Sequence, residues 1–546
     1  MLKSFLKSIW FYLILIVILT IPLCLGFFGD HLINGHDSMG ALIRALSMDQ
    51  YMGHGQYLVR WSPDVNWGYG YPMFSFYPPF FSFISVLFFQ LTHQMPLAIN
   101  CAAVLFWVLS GVGMFLLARE FWGDEGGVLS ALLYVYAPYH IVDLYVRGAF
   151  AEFSSFAFFP FLLLAILKIS RKLSLKYVLL GIASVFGLSL THNIMSMLFF
   201  PVAIAYMFYL FFTENKSKWI IAACCVFIIG LMMSSFFWLP AILEKKFLNL
   251  NFLISMRYDF HKNFISLSEL FCPFNKSSMD GVTLQVGMIH TLLCLITLGF
   301  LFKILKMNKQ IWLGYIFFLV VGAIAIFFTL PYSHLLWEKI GILSYIQFPW
   351  RILTIIVFAM SFLGGAIALL IKGQGLRRIL LITAGVLVIL VFLAFSPKPS
   401  FIVHEQGIES FVALGEGEYT PKWVMIPPNR RPNTKFEIIH GKAQLAEEKN
   451  LDPVHYQIKA RVFEPALLCF HTFYFPGWLV YVDGRSIQPY INNPFGLILF
   501  YLPSGDHDIR VVFGPTPIRT AGVVISWIGV LLLVGWIACI RLRKNV

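Results

Sequence analysis

Four Asp, three His and two Arg lie between Asp30 and Pro79, set among aromatic residues. The run reads Gly35-His36-Asp37-Ser38, then Arg44, Val59-Arg60-Trp61-Ser62-Pro63, Gly68-Tyr69-Gly70-Tyr71-Pro72 and Tyr77-Pro78-Pro79. A segment that only joined two helices would be short and polar. A carboxylate can take a proton from a hydroxyl. Arg offers a planar, two-pronged contact to phosphate, and aromatic faces suit a sugar ring. Acidic residues on loops held by a rigid scaffold are where chemistry tends to sit.

The elements that must hold this loop are membrane spans. Hydrophobic residues make up 59% of the 546 residues and charged residues 12%, and the mean hydropathy is +0.78. No soluble domain of this length has that balance, and the apolar runs of about 20 residues are bilayer-spanning. The net charge of +13 does not indicate nucleic acid, because the Lys and Arg gather in short loops between apolar runs, where they set orientation. The first apolar run, roughly Ile9 to Phe28, is too long for a signal peptide and no A-x-A-like site follows. It is expected to be retained, with Lys3 and Lys7 in the cytoplasm. The eight Cys show no C-x-x-C spacing, so no zinc or redox motif is indicated.

The basic clusters are Lys168/Arg171/Lys172/Lys176, Lys216/Lys218, Lys303/Lys306/Lys309, Lys372/Arg377/Arg378 and Arg541/Arg543/Lys544. All can be cytoplasmic together only if the run from about Phe74 to Leu91 does not cross. Its unbroken apolar part is short and opens on Pro78-Pro79, which suits an interfacial or re-entrant helix. About 12 spans result, over 9–29, 98–118, 127–141, 153–169, 177–192, 194–213, 219–239, 285–304, 310–330, 351–371, 378–396 and 518–540. Residues 30–97 are then an external loop and both termini are cytoplasmic. The segment 241–284 carries Lys245, Lys246, Arg257, Lys262 and Lys276 against this trend, but it is long enough for the charge rule to weaken.

On this map one face receives every other polar cluster. These are Pro138 to Glu152, Thr191-His192-Asn193, Trp238-Leu239-Pro240, Gln285 with Gly287 and His290, and Gln347-Phe348-Pro349-Trp350-Arg351. Ionisable residues at membrane depth mark a functional site. From Ser396 to Pro517 the composition changes to dense, balanced charge and alternating apolar residues. Runs at 455–462, 466–473, 478–482, 497–502 and 507–513, with a turn at Asp483-Gly484, predict an external antiparallel β-sandwich. The chain thus divides into a polytopic α-helical part (1–396), the β-domain (397–517), and a last helix with a basic tail (518–546).

Gly35-His36-Asp37-Ser38, Arg60-Trp61-Ser62-Pro63, Gly68 to Pro72, Phe76 to Pro79, Asp143 to Gly148 with Glu152, Leu190-Thr191-His192, Phe237 to Ala241 and Gln347 to Arg351 occur in that order. In them the chain resembles bacterial integral-membrane glycosyltransferases of the GT-C superfamily. It resembles more closely the membrane proteins labelled 6-pyruvoyl-tetrahydropterin synthase-related. The resemblance covers most of the chain to about residue 371. It implies transfer of a sugar from a polyprenyl-phosphate donor to an envelope glycan, lipid or protein, with inversion, on the external face of a bacterial cytoplasmic membrane. In the GT-C superfamily an Asp of the first external loop is the functional acid, and only Asp37 matches that place. The histidine triad of a pterin synthase is not visible.

Each candidate has two readings. Asp37 is the expected base, or with Ser38 it caps the helix starting near Met39. Asp143 and Glu152 bind substrate, or Glu152 pairs with Arg147 inside the membrane. Arg60, Arg147 and Arg351, the last beside Gln347, bind the donor phosphate or snorkel to the interface. A divalent cation (Mg2+ or Mn2+) held by Asp37 and Glu152 could serve the phosphate instead. His36 contacts substrate or metal; His192 contacts substrate or is a polar cap; His290 is an interhelical hydrogen bond. Trp61, Tyr69, Tyr71 and Trp350 stack on sugars or form an aromatic belt. A flippase for a lipid-linked precursor, or a non-catalytic envelope scaffold, are the alternatives. Gathering of polar residues at one face rather than through the bundle disfavours transport.

Overall fold

The computed structural model describes residues 8–214, 218–249, 259–272, 284–395, 397–403 and 419–542. Lys3, Lys7, Lys216, Arg257, Lys276, Arg543 and Lys544 therefore lie outside the described residues, and the orientation signal they carry has no structural counterpart. The chain is a multi-pass helical bundle with a sheet region near its C-terminus. By length and hydropathy seven helical segments could cross a membrane, or eight if the bent pair Trp219–Met233 and Ser235–Leu243 is one span. This falls short of the 12 crossings expected. Three of the expected spans fall on shorter apolar helices, Ile9–Cys24, Leu175–Thr191 and Met288–Gly299. Two others are joined in one segment, Met95–Tyr145. That segment folds back on itself at Gly123, where φ is 73°. Trp107 Nε1 donates to the Val135 carbonyl at 3.1 Å, which sets the two arms antiparallel. Phe80–Thr92 has 13 residues, about 20 Å at 1.5 Å per residue, shorter than a hydrocarbon core.

Two helices sit at the centre. Phe150–Arg171 and Pro349–Leu370 are each 89% buried over their most apolar window, against 11% for Pro517–Cys539. A helix that is apolar all round must be enclosed by other helices, or face lipid as the last one does. The ionic residues of Phe150–Arg171 lie at its two ends. Lys168 and Arg171 hold Glu120 at one end, where Glu125 also holds Arg377 and Arg378. Glu152 opens the other end. Residues 152 and 168 are about 24 Å apart at helical rise, close to one bilayer core. The predicted basic clusters around 168–171 and 377–378 thus meet at one end, opposite the polar motifs.

At the polar end the strand β1 (His31–Ile33) pairs antiparallel with β2 (Phe401–Val403), tying the first loop to the entry of the sheet region. That region contains β3 (Phe436–Asp452), β4 (His455–Phe473), β5 (Trp478–Val482), β6 (Arg485–Ile487), β7 (Leu497–Leu502) and β8 (Gly505–Phe513). They form one antiparallel hydrogen-bonded sheet in the order β3-β4-β8-β5-β6, with β7 also on β4. The pairing bears out antiparallel strands but does not by itself divide them into the two layers of the expected sandwich. The runs at 455–462 and 466–473 are one strand whose partner changes. Residues 455–462 pair with β8 and 466–473 with β7. Pro465 stands at the change, where a missing N–H costs no ladder bond. The turn at Asp483-Gly484 is present, both residues at positive φ, as a two-residue type I′ hairpin requires.

The sheet docks on the first loop through aromatic faces. Trp61 meets Trp478 edge-on at 5.4 Å between centroids, Tyr69 stacks on Phe473 at 5.6 Å, and Tyr71 stacks on Tyr419 at 6.2 Å. Lys435 Nζ donates to the Gly68 carbonyl at 2.9 Å. Three of the four aromatics offered as sugar platforms therefore have rings committed to holding this domain.

Candidate functional site

The polar motifs at 35–38, 139–152, 192 and 347–351 converge because backbones touch there. His36 N–H donates to the Val146 carbonyl at 3.1 Å and Asp37 N–H to the Arg147 carbonyl at 2.8 Å. The contact needs two glycines. A Cβ on Gly35 would lie 2.4 Å from Gly148 N, and one on Gly148, at φ +62°, would lie 2.2 Å from Ser38 Oγ. Ser38, fully buried, accepts from Gly35 N–H at 2.9 Å. Gly35 thus serves close approach to Gly148 rather than a sharp bend. Asp37 takes the N-cap position of Ser38–Gly53, yet its side chain makes no cap hydrogen bond. Among the described residues its exposed carboxylate has no hydrogen bond or ion pair, and neither has the imidazole of exposed His36.

Behind Asp37 lies a buried ionic group. Asp143 and Arg147 sit one turn apart and pair directly. Arg147 Nη1 is 3.0 Å from Glu152 Oε1, and Arg351 Nε is 3.3 Å from Glu152 Oε2. Tyr139 donates its hydroxyl to Glu152 Oε1 at 2.7 Å. Arg351 Nη1 donates to Gln347 Oε1 at 2.7 Å and to the Ile346 carbonyl at 3.0 Å. The Arg147 guanidinium lies over the Trp350 ring, 4.7 Å from its centroid. Glu152 opens the central helix Phe150–Arg171, where the positive end of the dipole favours a carboxylate. Arg351 stands at the start of the other central helical segment. Gln347 holds φ 66°, a left-handed conformation that non-glycine residues adopt at a cost and that clusters at functional sites.

Two cations face two carboxylates, so the buried group is internally neutral. What it retains is directed donors: among the described residues no hydrogen bond uses Nη2 of Arg147 or of Arg351. Asp37 is near enough for its charge to act on Arg147 and Asp143. His192 joins the edge, its charge coupled to Glu152 and both arginines. Its Nδ1 accepts from Met195 N–H at 3.3 Å, so a neutral ring carries its proton on Nε2.

Of the expected site residues, His36, Asp37, Asp143, Arg147, Glu152, His192, Gln347 and Arg351 are brought together. Arg60 is not. Its Nη2 donates to the Phe236 carbonyl, beside Glu244 and Arg519. Tyr139 was not singled out from the sequence; only its place four residues before Asp143 points to it. His290 Nε2 donates to the Leu133 carbonyl at 2.6 Å, an interhelical bond. A cation does not fit at Glu152: its oxygens already face two guanidiniums and a phenol, and a metal ion would sit against two positive charges. Among the described residues no group of three or more His, Cys, Asp or Glu could hold a metal ion.

Residues 74–401 match the 6-pyruvoyl-tetrahydropterin synthase related domain, described as a membrane protein. The chain belongs to this family. The match takes in the whole ionic group from Tyr139 to Arg351 and leaves out Asp37 and most of the sheet region. Among solved structures, this family member is similar to ArnT from Cupriavidus metallidurans bound to undecaprenyl phosphate, at 13% identity and TM-score 0.40 over 71% of this chain and 72% of that one. It is similar to the apo oligosaccharyltransferase of Archaeoglobus fulgidus, at 12% identity and TM-score 0.46 over 77% of this chain and 57% of that one. It is also similar to the arabinofuranosyltransferase AftD from Mycobacteria, at 15% identity and TM-score 0.44 over 72% and 27%. The chain thus spans little over half of the oligosaccharyltransferase and about a quarter of AftD. No curated protein matches.

Proposed function

We propose that the chain is an inverting membrane glycosyltransferase that moves a sugar from a polyprenyl-phosphate donor to an acceptor on the external face. The observation that carries this is the Asp37 carboxylate, unpartnered among the described residues and fixed by its own backbone against Arg147, which with Arg351 keeps spare donors. An inverting displacement needs that pairing. Asp37 takes the proton of the acceptor hydroxyl, whose oxygen forms the new bond at the anomeric carbon. The bond from that carbon to the phosphate oxygen breaks, and the phosphate leaves with the electron pair. Nη2 of Arg147 and of Arg351 meets the charge that develops there, which preorganised donors do best in a site shielded from water. Glu152 and Tyr139 hold the guanidiniums and do not react.

The donor is tested with Arg147→Lys and Arg351→Lys. Lys keeps the charge but loses the fork, so binding of a polyprenyl-phosphate sugar should weaken roughly 10-fold or more in at least one variant, the scale of a lost hydrogen bond to a charged group. If both bind the donor like the parent protein, the phosphate sits elsewhere.

The face is tested separately. With the basic end in the cytoplasm, Phe80–Thr92 lies at the external interface and Gln94 faces outward. A single Cys at Gln94, in a background without other exposed Cys, should react with a membrane-impermeant thiol reagent in intact spheroplasts. Protection until the membrane is broken would place the site on the cytoplasmic face.

A further inference from the structure

A second charged pocket lies where the first loop, the sheet and the last helix meet. Glu244 is fully buried and takes Arg519 Nε at 3.0 Å and Nη2 at 2.9 Å. Arg519, 3% exposed, also donates from Nη2 to the Pro476 carbonyl at 3.0 Å. That pair is balanced and saturated. Arg60 adds another cation to it. Its Nη2 donates to the Phe236 carbonyl, and among the described residues no carboxylate pairs with it. Its Nε and Nη1 make no hydrogen bond among the described residues, and neither is an enclosed orphan, so both reach open space.

That space is a cavity of about 380 Å³ walled by Tyr51, Trp61, Phe513 and Val523, with Arg60 and Arg519 as its only charged lining among the described residues. Burial, with the like charge of Arg519, pulls Arg60 down to about 10, so it is still a cation at neutral pH. An uncompensated guanidinium in an apolar-walled cavity is costly unless an anion joins it. The volume lies within the range of small-ligand pockets. Arg519, Thr520 and Val523 from the first turns of Pro517–Leu542 line the cavity, and the dipole at that end of the helix also favours an anion. Below it the same helix exposes Val524, Trp527, Ile528 and Leu531 at 52%, 64%, 43% and 68%. An anion held here has apolar helix directly beneath it for an attached chain.

We propose that this pocket binds the phosphate of a membrane lipid, at a site separate from the Asp37 group. None of the cavity's lining residues belongs to that group, so the site stands whether or not Asp37 is catalytic. The guanidinium of Arg60 is the phosphate ligand, and the aromatic walls exclude water from it.

The test is lipid retention by the purified full-length protein in detergent, read by native mass spectrometry. The probes are phosphatidylglycerol, undecaprenyl phosphate and phosphatidylcholine, with inorganic phosphate as competitor. Arg60→Gln should lose retained anionic lipid roughly 10-fold or more, the scale of a lost charged hydrogen bond. Arg60→Lys, which keeps the charge but loses the fork, should lose less than Arg60→Gln, and Asp37→Asn should lose none. Selective loss of phosphatidylglycerol names a phospholipid headgroup; selective loss of undecaprenyl phosphate names a polyprenyl carrier. Displacement of both by inorganic phosphate at low millimolar concentration would make the ligand a free anion and overturn the lipid assignment. If Arg60→Gln folds and retains every lipid like the parent, or only loses heat stability, Arg60 is a structural strut and the proposal fails. Should Arg60→Gln not fold, Leu58→Glu at the cavity wall supplies the same test by placing an anion in the site, and unchanged retention there also overturns it.

Discussion

Asp37→Asn should lower glycosyl transfer by roughly 100-fold or more, the usual scale for removing a general base, while leaving the fold almost untouched. The two halves of that expectation come from different atoms. The backbone of Asp37 is structural: its N–H is bound to the Arg147 carbonyl, and its carbonyl accepts from Ala41 N–H at 3.1 Å. Asn keeps both. The carboxylate is exposed, caps nothing and pairs with nothing among the described residues. Removing its charge breaks no contact, and exposed substitutions of that kind usually fall within about 0.5 kcal/mol. The measurement is turnover per folded molecule with a polyprenyl-phosphate sugar, beside heat resistance in detergent. A scaffold or a flippase would show no such drop. Full-rate transfer by well-folded Asp37→Asn would remove the base from this position and end the mechanism built on it.

Much of this architecture was legible because a bilayer leaves few options. Apolar runs and basic loops located the helices, and the gap between the expected spans 98–118 and 127–141 falls at the bend at Gly123. The count was harder, since Ile9–Cys24 and Met288–Gly299 are too short to be counted by length. In the sheet region the turn at Asp483-Gly484 was read from two residues. The strand β3 was missed because it is exposed along most of its length, so no apolar alternation marks it. The continuity of β4 was hidden by Pro465, which ends most strands but here marks a change of partner.

The site divided along the same line. Asp143, Arg147 and Glu152 are close in sequence, and their pairing could be anticipated from spacing. Arg351 and His192 were found because polar residues at the ends of apolar runs are rare. Arg60 was grouped with them only because it shares a loop with Asp37; nothing in the chain shows that the loop carries it to Phe236 and Glu244. The Glu244–Arg519 pair bridges 275 positions and has no local signature. Trp61, Tyr69 and Tyr71 show the opposite limit. Residue type suggested stacking on a sugar, but the rings meet protein, Trp61 edge-on and Tyr69 and Tyr71 face to face.

Glu152→Gln should cost stability before it costs chemistry. Glu152 is 1% exposed and lies between Arg147 at 3.0 Å and Arg351 at 3.3 Å. Gln has the same shape and can still accept from Tyr139, but it carries no charge. Two buried guanidiniums would then share Asp143, which reaches only Arg147. Breaking a buried ion pair from one side costs about 3–5 kcal/mol, because a charge is left without its partner. The variant should therefore lose structure at clearly lower temperature in detergent, while the molecules that remain folded turn over faster than Asp37→Asn. The double variant Glu152→Gln with Arg351→Gln decides the cause. If the loss comes from the stranded Arg351 cation, removing that cation should restore part of the stability, with a coupling of about 0.5–3 kcal/mol between the two changes. Strict additivity would mean that Glu152 is not compensating Arg351, and that the 3.3 Å approach carries no energy. A Glu152→Gln protein as stable as its parent but inactive would reverse the roles, making Glu152 the carboxylate that touches substrate and Asp37 a bystander on the loop.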